Sequence, residues 1–220
     1  MAEQVRFGFV ISLAVQQPGR AAGPLRPPVR AELYRISGEA IHRAGIAEPQ
    51  VHREDREDGI LFVVAPGVPP QLLLGAWLQH LHQTLRQGNR NAREVLRLRV
   101  GLHAGPVTAD PRGRSGPAVE LARRLSGSAE AARLMRAAPA AVLLVVVSDE
   151  LHRDRLHGDG EGSGADRYRP LTVRLPEGDR QAWYRLPGVP VPARPAAPTG
   201  VEPPGTPVGG RPGPTWPDQR

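Results

Sequence analysis

The sequence predicts an α+β fold of the ferredoxin-like, split βαβ kind: one mixed sheet with helices packed on it. Three observations carry that expectation. Apolar spacing switches between the alternation of strands and the three-to-four spacing of helices, in the order strand-helix-strand-strand-helix-strand as far as His103. Two short helical patterns and a strongly apolar run, Ala141–Val147, then extend the sheet. After Pro187 the residues able to form a core run out.

The elements follow in order. Val5–Val15 is apolar enough for a buried strand, and Gly19–Pro28 is a Pro/Gly loop. From Val29 to Ala44 the spacing of Leu33, Ile36 and Ile41 predicts a helix. Gln50–Arg53 and Ile60–Ala65 read as strands joined at the acidic turn Asp55–Gly59. A second helix is expected over about Pro70–Arg86, burying Leu73, Trp77, Leu81 and Leu85. Leu96–His103 alternates as a strand, with Leu98, Val100 and Leu102 on one face. Beyond it come a Gly-rich loop (Asp110–Pro117), helices over Ala118–Leu125 and Ala129–Ala137, the Ala141–Val147 strand and a helix from Asp149. Gly158–Gly164 reads as a flexible surface loop, and Tyr168–Leu175 and Gln181–Leu186 as closing strands. One domain is therefore expected over 1–187 and a Pro/Gly-rich disordered tail over 188–220, because that tail cannot offset its ordering entropy by burial.

Composition excludes several classes of function. Cysteine is absent, so there is neither a disulfide framework nor a thiolate metal site. The longest apolar runs, Leu72–Leu78 and Ala140–Val147, are too short to span a bilayer, and the first residues do not read as a signal peptide. A cytoplasmic protein without membrane contact is expected. The net charge of +7 invites a nucleic-acid reading. All 29 basic residues, however, are arginine, and they are scattered in mixed company, as in Arg53-Glu54-Asp55-Arg56-Glu57-Asp58. The Leu96–His103 strand carries no aromatic residue for base stacking and the hairpin carries only Phe62, so nucleic acid is not the expected partner.

Three stretches together resemble the class III adenylate/guanylate cyclase family. Leu96-Arg-Leu-Arg-Val-Gly-Leu-His-Ala-Gly-Pro-Val107 followed by Gly116-Pro-Ala-Val-Glu-Leu-Ala-Arg-Arg-Leu125 is similar to the family's "GxHxG" strand, loop and "GxxVNxAxRL" helix. Glu57-Asp58-Gly59 resembles its "GDG" turn, and Val142–Leu151 its next strand and serine-led helix. Aligned on the family's "DIxGF" strand, Ala14 stands at the first metal-binding aspartate, at the usual distance from Asp58. The closing Ala182–Gly188 segment is similar to that of divergent actinobacterial members. The resemblance covers about Val5 to Leu186.

Such enzymes join the ribose 3′-oxygen to the α-phosphate with the help of two divalent metals, which need two adjacent carboxylates. The resemblance assigns one metal carboxylate to Asp58, while Ala14 replaces the other and has no ligand atom. Ser12 shares the face of Ala14 but is a neutral hydroxyl, and Glu57 points to the wrong side of the turn. Arg124 stands at the phosphate-stabilising position and Glu120 replaces the ribose-orienting asparagine. Spaced i, i+4, these two are also placed to pair with each other. Glu54 stands where guanylate cyclases read guanine, and the Gly113–Ala118 loop could offer backbone N–H groups to a phosphate. His80 and His82 point apart on a helix, and His103 fits a structural position.

The resemblance thus implies a cyclase-like domain with a degenerate site, acting as a regulatory or interaction module. Its rival is a weakly active or heteromeric cyclase making a 3′,5′-cyclic nucleotide, with Mg²⁺ or Mn²⁺ required only in that case. The implied partners are a nucleoside triphosphate and a second cyclase domain, as homodimer or heterodimer.

Overall fold

Strand β1 (Gln4–Val15) runs through the middle of the sheet, antiparallel to β3 (Gly59–Val64) on one side and to β4 (Leu98–Asp110) on the other. The computed structural model describes residues 4–17, 24–111, 113–156 and 167–189. The Gly158–Gly164 loop and the tail from residue 190 onward lie outside the described residues. The first half has the predicted order: α1 (Pro27–Arg43) crosses from β1 to β2 (Val51–Arg56), which pairs with β3, and α2 (Leu78–Asn89) leads to β4. The second half adds β5 (Gly113–Ser115), α3 (Pro117–Gly127), α4 (Ala129–Ala137), β6 (Leu143–Ser148), α5 (Asp149–Leu156), β7 (Arg169–Leu175) and β8 (Gly178–Arg185). The sheet order is β2-β3-β1-β4-β6-β8-β7, with β5 off β4 and β6 parallel to β4.

Alternation along β1 divides the core. Phe9, Ile11 and Leu13 join Leu98, Val100 and Leu102 of β4 beneath α1 and α2, where Leu73, Trp77, Leu81 and Leu85 are all buried. Val10 faces the other way, against Ala118, Val119 and Ala122 of α3. Leu144 and Val146 of β6 bury themselves on that second side with Ala131 and Met135 of α4. Each face is covered by helices, which fits the continuous apolar run of β6.

Several boundaries differ from expectation. Helix α1 begins at Pro27 rather than Val29, because proline in the first turn gives up no needed N–H. β2 runs on to Arg56, which narrows the expected Asp55–Gly59 turn to Glu57-Asp58. Its charged residues are tolerated in a strand because neighbours engage them: Arg30 and Tyr34 of α1 donate to Asp55, while Arg53 lies over the rings of Tyr34 and Phe62. The second helix opens with a wider turn, Leu72–Trp77, before α2 proper. β4 does not stop at His103 but continues to Asp110, since β1 extends beyond β3 and offers Gln4–Gly8 as a partner. The stretch predicted as a Gly-rich loop folds back as β5 against Thr108–Asp110.

Candidate functional site

The end of β1 brings Ala14 and Asp58 together. Ala14 is the cross-strand partner of Gly59, and Val15 N–H donates to the carbonyl of Asp58 at 3.1 Å. Gly59 permits this approach, because a Cβ there would fall 1.7 Å from the Leu13 carbonyl oxygen. Ser12, on the same face, accepts a hydrogen bond from Ser126 of α3 at 2.9 Å and is buried beneath that helix. Glu57 is exposed, and its carbonyl is taken by Leu25 N–H and by Arg30.

On the other side of Ala14, at the same level, stands Arg99 of β4. Strand alternation turns it away from Leu98 and Val100, onto the face covered by α3. Its residue is only 7% exposed, and among the described residues its Nε has no hydrogen-bond partner. Burial pulls its pKa below the ordinary guanidinium value; the Asp58 charge opposes that pull and the Arg136 charge adds to it. Sequence reasoning passed over Arg99, although an arginine within an alternating apolar strand was a signal that something polar faces it.

These residues do not fit a paired-metal centre. Such a centre needs carboxylate oxygens converging on a divalent ion, whereas here the strand neighbour of the Asp58-Gly59 turn is an alanine and the Asp58 charge acts on a buried guanidinium. Among the described residues, no three His, Asp or Glu side chains are grouped to hold a metal ion.

Arg124 and Glu120 share one face of α3 and pair directly, Arg124 Nε donating to Glu120 at 2.7 Å. A second carboxylate, Glu177 in the turn between β7 and β8, accepts from the other arm of the same guanidinium. Hydrogen bonds from Arg123 and Arg124 hold Glu120 below its usual carboxylate range, and the bond to Glu120, with that to Glu177, raises Arg124. The sequence had supplied the first partner through its helical spacing, but not Glu177.

Glu54 is enclosed rather than open to a base. His52 Nε2 lies 2.7 Å from one of its oxygens, and Arg56 donates to the other at 2.6 Å. Gly113 of β5 sits above it, close enough that a Cβ there would be 2.7 Å from the carboxylate. Arg56 also donates to the Arg114 carbonyl at 3.3 Å and so joins β2 to the β4–β5 hairpin. The Gly113–Ala118 stretch, read as a loop whose backbone N–H groups could meet a phosphate, lies partly in that hairpin, with Gly116 at φ +115° turning the chain into α3. His103 Nδ1 meets Ser148 Oγ at 2.8 Å, a structural position. His80 and His82 are both half-buried on α2, and Phe62 is fully buried and unable to stack on a base.

No family model and no curated protein matches the sequence. Solved structures do match over most of the chain. An adenylate/guanylate cyclase/hydrolase from Silicibacter pomeroyi is 19% identical with a TM-score of 0.59, covering 84% of this chain and 99% of that one. The guanylyl cyclase Cya2 is 17% identical with a TM-score of 0.55, covering 88% and 98%. The guanylate cyclase domain of RhGC from Catenaria anguillulae, solved in complex with GTP, is 16% identical with a TM-score of 0.51, covering 82% and 97%. At these identities the likeness is one of fold, and the chain has the class III cyclase fold. No helix among the described residues is long and apolar enough to cross a membrane.

Proposed function

We propose that this chain is a nucleotide cyclase-like domain that has kept a shell for a nucleoside triphosphate but not the chemistry of cyclisation, and that it works as a regulatory or interaction module. One observation carries the reading: Ala14 stands beside Asp58 at the end of β1, so a second metal carboxylate is missing where the chemistry requires one. Losing one carboxylate of the pair removes several kcal/mol of transition-state stabilisation, on the order of a thousandfold or more in rate. The replacement of the ribose-orienting asparagine by Glu120 points the same way, because it places a negative charge near a polyanion's path. That GTP is bound by a neighbour of the same fold supports the ligand class.

The heteromeric alternative needs Arg124 to be free for a partner's site. Here its guanidinium is shared between Glu120 and Glu177, which weighs against that use. A homodimer would repeat Ala14 in both copies and restore nothing. The test is to incubate the purified chain with ATP or GTP and Mg²⁺ or Mn²⁺, alone and mixed with a cyclase domain carrying both aspartates. Nucleotide binding without cyclic product is expected. Cyclic nucleotide formed by the chain alone would overturn the proposal.

A further inference from the structure

A cavity of about 610 Å³ lies between the start of α1 and the end of α2, and neither Asp58 nor Arg124 lines it. Val15, Leu25, Val29, Val95 and Leu96 supply its apolar wall. Val15 and Leu25 belong to the core, whereas Val95 is 53% exposed. A large apolar side chain open to water beside such a hollow gains from an apolar occupant. The wall is held in place: Asn89 at the end of α2 donates to and accepts from the Leu96 backbone, at 2.8 Å each. The hollow is also bounded, because Arg26 at the entry of α1 pairs with Glu94 of the α2–β4 connection. That tie, with a volume in the range of small-ligand sites, suits a small molecule and not a helix or strand.

Charge narrows the class of occupant. The charged groups on the wall are already matched, Arg26 by Glu94 and Glu32 by Arg35. Pro27 and Pro28 open α1 without N–H groups, so its N-terminus lacks two of the donors that would draw an anion. A neutral molecule therefore fits better than a phosphate or a carboxylate. Gln16 adds one polar group to the wall, and its amide oxygen has no hydrogen-bond partner among the described residues. An unpaired amide gains from a ligand group that bonds to it. The same wall holds the turn that carries Asp58. Val15 N–H donates to the Asp58 carbonyl at 3.1 Å and Leu25 N–H to the Glu57 carbonyl at 3.0 Å.

We infer that this cavity binds a small, neutral, largely apolar molecule with one hydrogen-bonding group, and that its occupancy stiffens the Glu57-Asp58 turn. The site does not depend on a bound nucleotide; only its use as a control point rests on the regulatory reading above.

The test uses N-phenyl-1-naphthylamine, a neutral fluorophore with one N–H, titrated into the full chain without nucleotide. Its comparison is 1-anilinonaphthalene-8-sulfonate, which has the same rings and a negative charge. A saturable rise in fluorescence at one neutral probe per chain is expected, with the sulfonate binding at least tenfold more weakly. Ala92→Trp, at an exposed position on the wall, fills the cavity and is expected to weaken binding at least tenfold. Gln16→Leu is expected to weaken it about three- to tenfold, the range of one hydrogen bond. Circular dichroism checks that both variants fold. At saturation, hydrogen–deuterium exchange of the Val15 and Leu25 amides is expected to slow about threefold or more. No saturable binding, or undiminished binding by a folded Ala92→Trp chain, would overturn the site. Equal affinity for the sulfonate would overturn the neutral class, unchanged binding by Gln16→Leu the polar anchor, and unchanged exchange the link to the Asp58 turn. None of these measurements uses a nucleotide, so their failure leaves the nucleotide shell standing.

Discussion

Glu177, in the turn between β7 and β8, accepts a hydrogen bond from Arg124 on α3 and so ties that turn to the helix facing it. With Glu120 on the same guanidinium, two carboxylates compete with any phosphate for Arg124. Exposed pairs of this kind are weak singly, but both must be displaced together. Replacing Glu120 by Asn and Glu177 by Ala is expected to tighten binding of a fluorescent nucleoside triphosphate by about two- to fivefold, more in low salt than in high. No change in affinity would mean that Arg124 does not face the ligand.

Helix α3 owes its seat to a glycine. A Cβ on Gly101 would lie 2.1 Å from the Ala122 carbonyl oxygen and 2.7 Å from the Ser126 nitrogen, both backbone atoms that cannot swing aside. Gly101→Ala should therefore lift α3 from β4, break the Ser126–Ser12 hydrogen bond and cost about 3 kcal/mol, the upper end of ordinary overpacking. Gly75→Ala is the control, because a Cβ there meets nothing within 4 Å, and it should be neutral or slightly stabilising. Urea unfolding of both variants checks the contrast.

Alternation placed Leu98, Val100 and Leu102 on the buried face, and helical spacing paired Glu120 with Arg124, because both signals are local. The same local spacing predicts α4 at the residues it occupies, Ala129–Ala137. Arg99 opposite Ala14, Gly113 above Glu54 and Glu177 on Arg124 depend on the β1–β4 register or on contacts across the fold. A single sequence does not encode register in any local pattern. β5 leaves no local signal because its three residues pair only where β4 continues past His103, and that continuation depends on β1.

Two histidines give the fold a predictable response to acid. Burial holds His103 below its ordinary pKa, helped by Arg180 and opposed by Glu150; burial does the same to His82, helped by Arg86 and Arg185. In each case the folded state prefers the neutral ring, so the unfolded chain takes up protons first as pH falls through about 6.5. The stabilisation is complete above that value and is lost as pH falls toward and through the depressed folded-state values. Urea midpoints should drop between pH 7.5 and pH 5.5, and a His82→Gln, His103→Gln chain should show a smaller drop. An equal drop in wild type and variant would assign the pH response to other groups.

Glu54 gives the last prediction, because its position in the family pattern and its surroundings in the fold point in opposite directions. As a guanine reader it would need a free carboxylate, and its loss would abolish a preference for GTP over ATP. Instead one oxygen is engaged by His52, the other by Arg56, and Gly113 covers them from the β4–β5 hairpin at φ +136°, where a side chain is strained. Its side chain is only 15% exposed. Glu54→Gln should therefore act on stability more than on selectivity: a loss of about 1–2 kcal/mol, as Arg56 and His52 lose a charged partner, with the GTP-to-ATP affinity ratio changed less than about threefold. Gly113→Ala should cost about 1–3 kcal/mol through backbone strain and displace the hairpin from Glu54. If that variant gains selectivity for GTP that a further Glu54→Gln change removes, the hairpin is a cover over a working base site. Unfolding curves and competition titrations with the two nucleotides decide between a structural carboxylate and a covered one.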